Sequence, residues 1–180
     1  MVQQINEVVL AEIEIPTTDA VLGMTYCQGK PDKNGVLAQD PLSNISQIKK
    51  WGASAVISLL NDKELTDYNS QQLGDNIRNA GLTWFHHPFE DNGVPTEKFT
   101  QRWKQQQSAL HEILKAGKKV MIHCRGGKGR TGLICAQILL EMDVPFDQSV
   151  ELVKSNRQGA LSKDSHIEYL KSLDLAGILD

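Results

Sequence analysis

The residues with the clearest capacity for chemistry lie together at His123-Cys124-Arg125-Gly126-Gly127-Lys128-Gly129-Arg130-Thr131-Gly132. Cys124 offers a sulfur nucleophile once its thiol is ionised. Arg130 offers a planar fork that matches two phosphate oxygens. Between them, glycines at 126, 127 and 129 let the backbone turn so that successive N–H groups point inward. Inward amides at the start of a helix make an anion site, and the positive end of the helix dipole favours the Cys124 thiolate. The backbone from Arg125 through Gly126, Gly127, Lys128 and Gly129 to Arg130 is therefore the candidate phosphate cradle, and Cys124 the candidate nucleophile beneath it. A lone cysteine or a lone glycine-rich loop would be weak evidence, because free cysteines are mostly inert core residues. The combination of both with an arginine is specific. A nucleotide-binding loop of the Gly-Lys-Ser/Thr type is excluded, since Gly129 follows Lys128. His123 reads as a buried imidazole that orders the loop rather than as a proton shuttle.

A thiolate that attacks phosphorus needs an acid to protonate the leaving oxygen, and then a base to activate water. The segment Pro88-Phe89-Glu90-Asp91-Asn92-Gly93-Val94-Pro95 carries two carboxylates in a turn-rich setting. Taken alone, Asp91-Asn92-Gly93 is simply a turn, because these residues favour turns for backbone reasons. Beside the Cys124 loop, Asp91 is the candidate general acid and Glu90 the reserve. His86 and His87 are adjacent in a strand and point to opposite faces. One core histidine and one loop-anchoring histidine is therefore expected, and no metal site.

These side chains need a scaffold that brings 91 to 124. Lys119-Val120-Met121-Ile122 reads as an inner strand leading into the loop, and the apolar run from Leu133 to Met142 as a helix leading out. Upstream, an edge strand is expected over 7–15 and a second over 21–27. A turn-rich loop at 29–35 follows, then a helix with Pro41 as its first residue. A buried strand over 53–60, a polar helical region over 63–80 and a strand over 82–87 come next. A helix runs from Thr96 to about Lys115, and further helices lie near 131–142, 147–156 and 163–175. Alternating strands and helices predict an α/β fold, a central mostly parallel sheet with helices on both faces. Such sheets put their ligands at the carboxyl ends of the strands.

Composition agrees with one domain over 1–180 with its core at about 20–175. The chain has 180 residues, 40% hydrophobic and 23% charged, which is a globular balance. A net charge of −3 argues against a general nucleic-acid binder. Three cysteines, an odd number, suggest a reducing compartment rather than a disulfide scaffold. No secretory leader and no apolar run of membrane-spanning length is visible, so a cytoplasmic protein without stable membrane insertion is expected. Cys27 and Cys135 read as core residues, with a protective disulfide from either to Cys124 left open.

The order His-Cys, five residues, Arg-Thr resembles the signature of the Cys-dependent protein tyrosine phosphatase superfamily. His86 to Pro95, the strand ending in Asn61-Asp62-Lys63-Glu64-Leu65, and Arg157-Gln158-Gly159-Ala160-Leu161 further resemble the kinase-associated, cyclin-dependent kinase inhibitor 3-like dual-specificity phosphatases. That resemblance implies a small phosphatase fold, a cysteinyl-phosphate intermediate and no metal or other cofactor. It also implies Asp91 as the acid and Thr131 as the hydroxyl that helps the thiolate leave. The implied substrate is a phosphoprotein, with a kinase as a conceivable partner. Gln158 stays outside the catalytic set, because its neighbours match poorly. Arg125 and Lys128 make the loop similar to that of a phosphoinositide phosphatase in the same superfamily, so an inositol phosphate substrate is the alternative. A non-catalytic phosphoprotein-binding module is a second alternative. A thiol redox enzyme ranks below both, for want of a Cys-x-x-Cys pair.

Overall fold

The computed structural model describes residues 8–27, 34 and 41–173. The start of the first expected strand, most of the 29–35 loop and the end of the last expected helix lie outside them. Five strands, β1 (Ala11–Glu14), β2 (Val21–Thr25), β3 (Ala53–Ser58), β4 (Thr83–His86) and β5 (Lys119–His123), form one sheet in the order β1-β2-β5-β3-β4. Only β1 runs antiparallel, pairing Ala11 with Met24; β2, β5, β3 and β4 are mutually parallel. The expected mostly parallel sheet is thus present, and β5 is its central strand.

Side-chain alternation explains why helices cover both faces. In β5, Val120 and Ile122 join one apolar core and Met121 the other. The first core packs against α4 (Glu97–Lys115), α5 (Gly129–Glu141), α6 (Phe146–Asn156) and α7 (Asp164–Ser172). The second packs against α1 (Pro41–Trp51), α2 (Asp62–Asp67) and α3 (Leu73–Asn79). In β1 the buried residues Ala11 and Ile13 alternate with the exposed Glu12 and Glu14, the pattern of an edge strand with one wet face. Helix α5 is buried along nearly its whole length, which fits its apolar sequence.

Three expectations are corrected. The polar region 63–80 is two helices rather than one: α2 ends at the cap Tyr68, and Asn69 enters the left-handed region at φ +50°. Asparagine tolerates that conformation, and the Ser70 N–H bonding back to the Leu65 carbonyl at 2.7 Å closes the helix end. The helix after the cysteine loop begins at Gly129, not 131, so Arg130 and Thr131 belong to its first turn. The strands at 21–27 and 53–60 stop at Thr25 and Ser58. Beyond those points the chain leaves the ladder to build the loops of the site.

Candidate active site

Four parallel strands end on one edge of the sheet. From those ends come Cys27, Glu64, the 88–95 loop and Cys124. Sequence separates these groups widely; the strand order β2-β5-β3-β4 makes them neighbours.

Cys124 follows β5 directly and is 3% exposed. The conformation of its loop is held from outside. The Arg125 carbonyl accepts the Cys27 N–H at 3.1 Å. The Gly126 and Gly127 carbonyls accept from the Arg157 guanidinium, at 3.1 Å from Nη2 and 2.9 Å from Nε. In a trans peptide the C=O and the next N–H point opposite ways. Three carbonyls turned outward therefore turn the N–H groups of Gly126, Gly127 and Lys128 inward. The first-turn N–H groups of α5 add to them, since they have no intrahelical acceptor. Gly127 has φ +68°, and a Cβ there would stand 2.4 Å from the Thr25 carbonyl oxygen. Only glycine fits this close approach of the loop to β2.

Arg130 is 1% exposed, and its hydrogen bonds all run through Nη1 and Nη2, including one from Nη1 to the Leu59 carbonyl at 3.4 Å. Nη1 and Nη2 donate to the two Glu64 oxygens at 2.8 and 2.7 Å, and Nη1 also reaches the Phe89 carbonyl at 3.1 Å. Nε makes no hydrogen bond and lies 3.7 Å from Asp91 Oδ1. The edge formed by Nε and the second Nη2 hydrogen is the one left for an oxyanion. Burial opposes the Arg130 charge, but the Glu64 hydrogen bonds and then the charges of Cys124, Glu64 and Asp91 raise its pKa above the ordinary value. Burial would likewise raise the Glu64 carboxyl. The Arg130 hydrogen bonds, the Asn61 N–H and the Arg130 and Arg125 charges outweigh it and hold Glu64 below the usual range.

Asp91 and Glu90 face different partners. The Asp91 side chain is 43% exposed beside Arg130. Glu90 Oε1 accepts from Asn61 Nδ2 at 3.3 Å. Thr131 is fully buried in the first turn of α5, and its hydroxyl makes no hydrogen bond. Arg125 and Lys128 are exposed, with Lys128 lying along Gly159.

His123 is buried under the loop in a chain of side chains. Trp84 Nε1 donates to Ser58 Oγ at 2.8 Å, Ser58 Oγ contacts His123 Nε2, and His123 Nδ1 lies 3.4 Å from the Cys124 carbonyl. Burial lowers the His123 pKa to about 4, so the ring is neutral at pH 7. The Cys124 carbonyl can only accept, so the hydrogen of the neutral ring sits on Nδ1, and the bare Nε2 accepts the Ser58 hydroxyl hydrogen. His86 bonds the Leu60 carbonyl at 2.7 Å and stacks on Trp84, whereas His87 is buried among Phe85, Phe99 and Trp103. They divide between loop and core as their opposite strand faces imply.

Glu64 and Arg157 are functional neighbours that the sequence reading left without roles. The Asn61-x-x-Glu64 spacing does signal a helix start. Glu64 accepts the Asn61 N–H at 3.0 Å while Asn61 Oδ1 accepts the Glu64 N–H, a complete capping box. Nothing local reveals that the same carboxylate also holds Arg130. Cys27 and Cys135 are fully buried on opposite sides of the sheet, and neither forms a disulfide. Burial, and then the Cys124 charge, push the Cys135 thiol far above its ordinary pKa.

The model of the dual specificity phosphatase catalytic domain matches residues 36–174. Rat cyclin-dependent kinase inhibitor 3 is 29% identical over 127 residues, covering 69% of this chain and 58% of the relative's length. Mouse protein tyrosine phosphatase type IVA 3 is 27% identical over 133 residues, covering 71% of this chain and 68% of that protein. Among solved structures, kinase associated phosphatase with its catalytic cysteine replaced by serine superposes with a TM-score of 0.79 at 22% identity, covering 93% of this chain and 94% of the other. These likenesses agree with the resemblance carried by His86–Pro95 and the Cys124 loop.

Proposed function

Given that the chain belongs to the family of dual specificity phosphatase catalytic domains, we propose that it hydrolyses phosphate monoesters on proteins, phosphotyrosine foremost, through a phosphorylated Cys124. The observation that carries this reading is the Arg130 guanidinium. Glu64 fixes it from one side, and on its other edge Nε makes no hydrogen bond while standing 3.7 Å from Asp91 Oδ1 and in the field of Cys124.

In the first step Cys124 Sγ attacks phosphorus, an S–P bond forms and the P–O bond to the substrate breaks. The departing oxygen takes its proton from Asp91. The inward amides of the loop and the open edge of Arg130 hold the equatorial oxygens, whose charge they stabilise more as the transition state forms. In the second step Asp91, now a carboxylate, takes a proton from water as that water attacks phosphorus. The S–P bond breaks, inorganic phosphate leaves, and the Thr131 hydroxyl donates toward the departing sulfur. His123 and Arg157 keep the loop in shape and touch no reacting atom.

Phosphoprotein is preferred to inositol phosphate because the sequence relatives are a cyclin-dependent kinase inhibitor and a protein tyrosine phosphatase, the first of them named for a kinase. A kinase is accordingly the first partner to test. Among the described residues no helix is long and apolar enough to cross a membrane. A cytoplasmic site of action is proposed on the cysteine usage alone.

The test is hydrolysis, in excess chelator, of p-nitrophenyl phosphate, a phosphotyrosine peptide, a phosphothreonine peptide and a soluble inositol phosphate. The expected order in kcat/KM places the phosphotyrosine peptide above the inositol phosphate by about tenfold or more, the scale on which a few contacts discriminate substrates. The reverse order overturns the protein-substrate reading. Tight phosphopeptide binding without turnover of any substrate overturns the enzymatic one.

A further inference from the structure

The loop that carries Asp91 is pinned at its ends by the buried Phe89 and Pro95, but Glu90, Asp91, Asn92 and Val94 between them are exposed. Such a stretch has no side chain of its own in the core to fix where Asp91 points. Its internal structure is a tight turn. The Gly93 N–H bonds the Glu90 carbonyl at 3.0 Å, Asn92 sits in the left-handed region at φ +63°, and Asp91 Oδ1 accepts the Asn92 N–H at 3.0 Å.

Two contacts from α7 meet this turn. His166 Nε2 lies 2.9 Å from the Gly93 carbonyl oxygen, and Lys163, the residue before α7, donates to Asn92 Oδ1. His166 is 1% exposed, and burial holds its pKa below the ordinary value, so the ring is neutral at pH 7. A carbonyl only accepts, so Nε2 must carry the ring hydrogen. A buried imidazole committed to a carbonyl 73 residues away, inside an otherwise exposed turn, has more to hold than its own helix.

We propose that His166 and Lys163 are positioning residues for the general acid: they clamp the 90–93 turn from α7 so that Asp91 stands at the leaving oxygen. This inference rests on Asp91 being that acid. Neither residue touches a reacting atom; each acts by restricting the turn, so that less orientation must be lost when the substrate binds.

Acid placement has a signature that loss of packing lacks. A good leaving group needs little protonation, a poor one needs much. The experiment compares kcat/KM for phenyl phosphate and p-nitrophenyl phosphate in wild type, Asp91→Ala, His166→Leu, His166→Gln and Lys163→Met, with His166→Leu also made in the Asp91→Ala background. His166→Leu is expected to lose about tenfold more on phenyl than on p-nitrophenyl phosphate, within the range general acid catalysis supplies. Lys163→Met, at a half-exposed position, should show the same bias more weakly, and it covers the case in which the leucine variant fails to fold. His166→Gln, which keeps a donor near the Nε2 position, should restore most of the loss. In the Asp91→Ala background His166→Leu should cost less than about twofold, because residues acting through one group are not additive.

Equal losses on both esters in the folded His166 and Lys163 variants, or a full further loss in the Asp91→Ala background, overturn the clamp while leaving the acid standing. An Asp91→Ala variant without any bias between the esters removes the acid reading and the clamp with it.

Discussion

Cys124→Ser should lower kcat/KM for p-nitrophenyl phosphate by on the order of 10⁴-fold or more, the scale seen when a covalent nucleophile is removed, while phosphopeptide binding survives. Serine is nearly the same size, so the 3%-exposed position needs no repacking. The loop keeps its shape because its outer bonds run from the Cys27 amide and Arg157 to backbone carbonyls, none of them through the sulfur. What disappears is an anionic nucleophile at neutral pH, since a hydroxyl does not ionise where a thiol can. Steady-state hydrolysis read beside calorimetric binding of a phosphotyrosine peptide separates the two effects. Turnover within tenfold of wild type would mean that another group attacks phosphorus.

Arg130→Lys is the second large effect, because it keeps the charge and removes the geometry. A single ammonium cannot bind both Glu64 oxygens, reach the Phe89 carbonyl and still offer a two-hydrogen edge to phosphate. The expected loss in kcat is about 10²–10³-fold, the cost of removing a preorganised donor from an oxyanion site. A rise in KM should accompany it. Stability should fall by about 1–3 kcal/mol, the penalty for leaving buried hydrogen-bonding groups under-satisfied. The Phe89 carbonyl and much of the Glu64 carboxylate are in that position once the fork is gone. Denaturant melts and steady-state kinetics measure both. Activity close to wild type would show that positive charge alone suffices and that the fork held by Glu64 is irrelevant to catalysis.

The chemistry was legible where it is contiguous. Cys124, the glycines and Arg130 occupy one strand–loop–helix unit, so their types and spacing already define a cradle with a nucleophile and a fork. The strand–helix alternation was enough to place that unit on an inner strand of a mostly parallel sheet, and β5 is indeed central. Illegible were partners whose roles depend on strand order. Glu64 is 66 residues from Arg130, and its visible signal, the capping box with Asn61, accounts for only half of what its carboxylate does. Arg157 follows α6 with no pattern to mark it as the outer clamp on Gly126 and Gly127. His166 and Lys163 gave no signal because their partners are a carbonyl and an asparagine in a remote turn. The break between α2 and α3 was hidden for a different reason. Polar residues carry little periodicity, and a left-handed Asn69 is a decision of the backbone that composition does not record.

The most direct test of the account is to look for phosphorus on sulfur. In Asp91→Ala the first step still proceeds with a good leaving group, but the second lacks its base, so the phosphorylated protein should accumulate on rapid mixing with p-nitrophenyl phosphate. Intact-protein mass spectrometry after an acid quench should then show a gain of one HPO₃ unit. Fragmentation should place that gain on Cys124, and Asp91→Ala combined with Cys124→Ser should show none. A burst of p-nitrophenol with no covalent phosphate, or with the phosphate on another residue, would contradict a mechanism through Cys124.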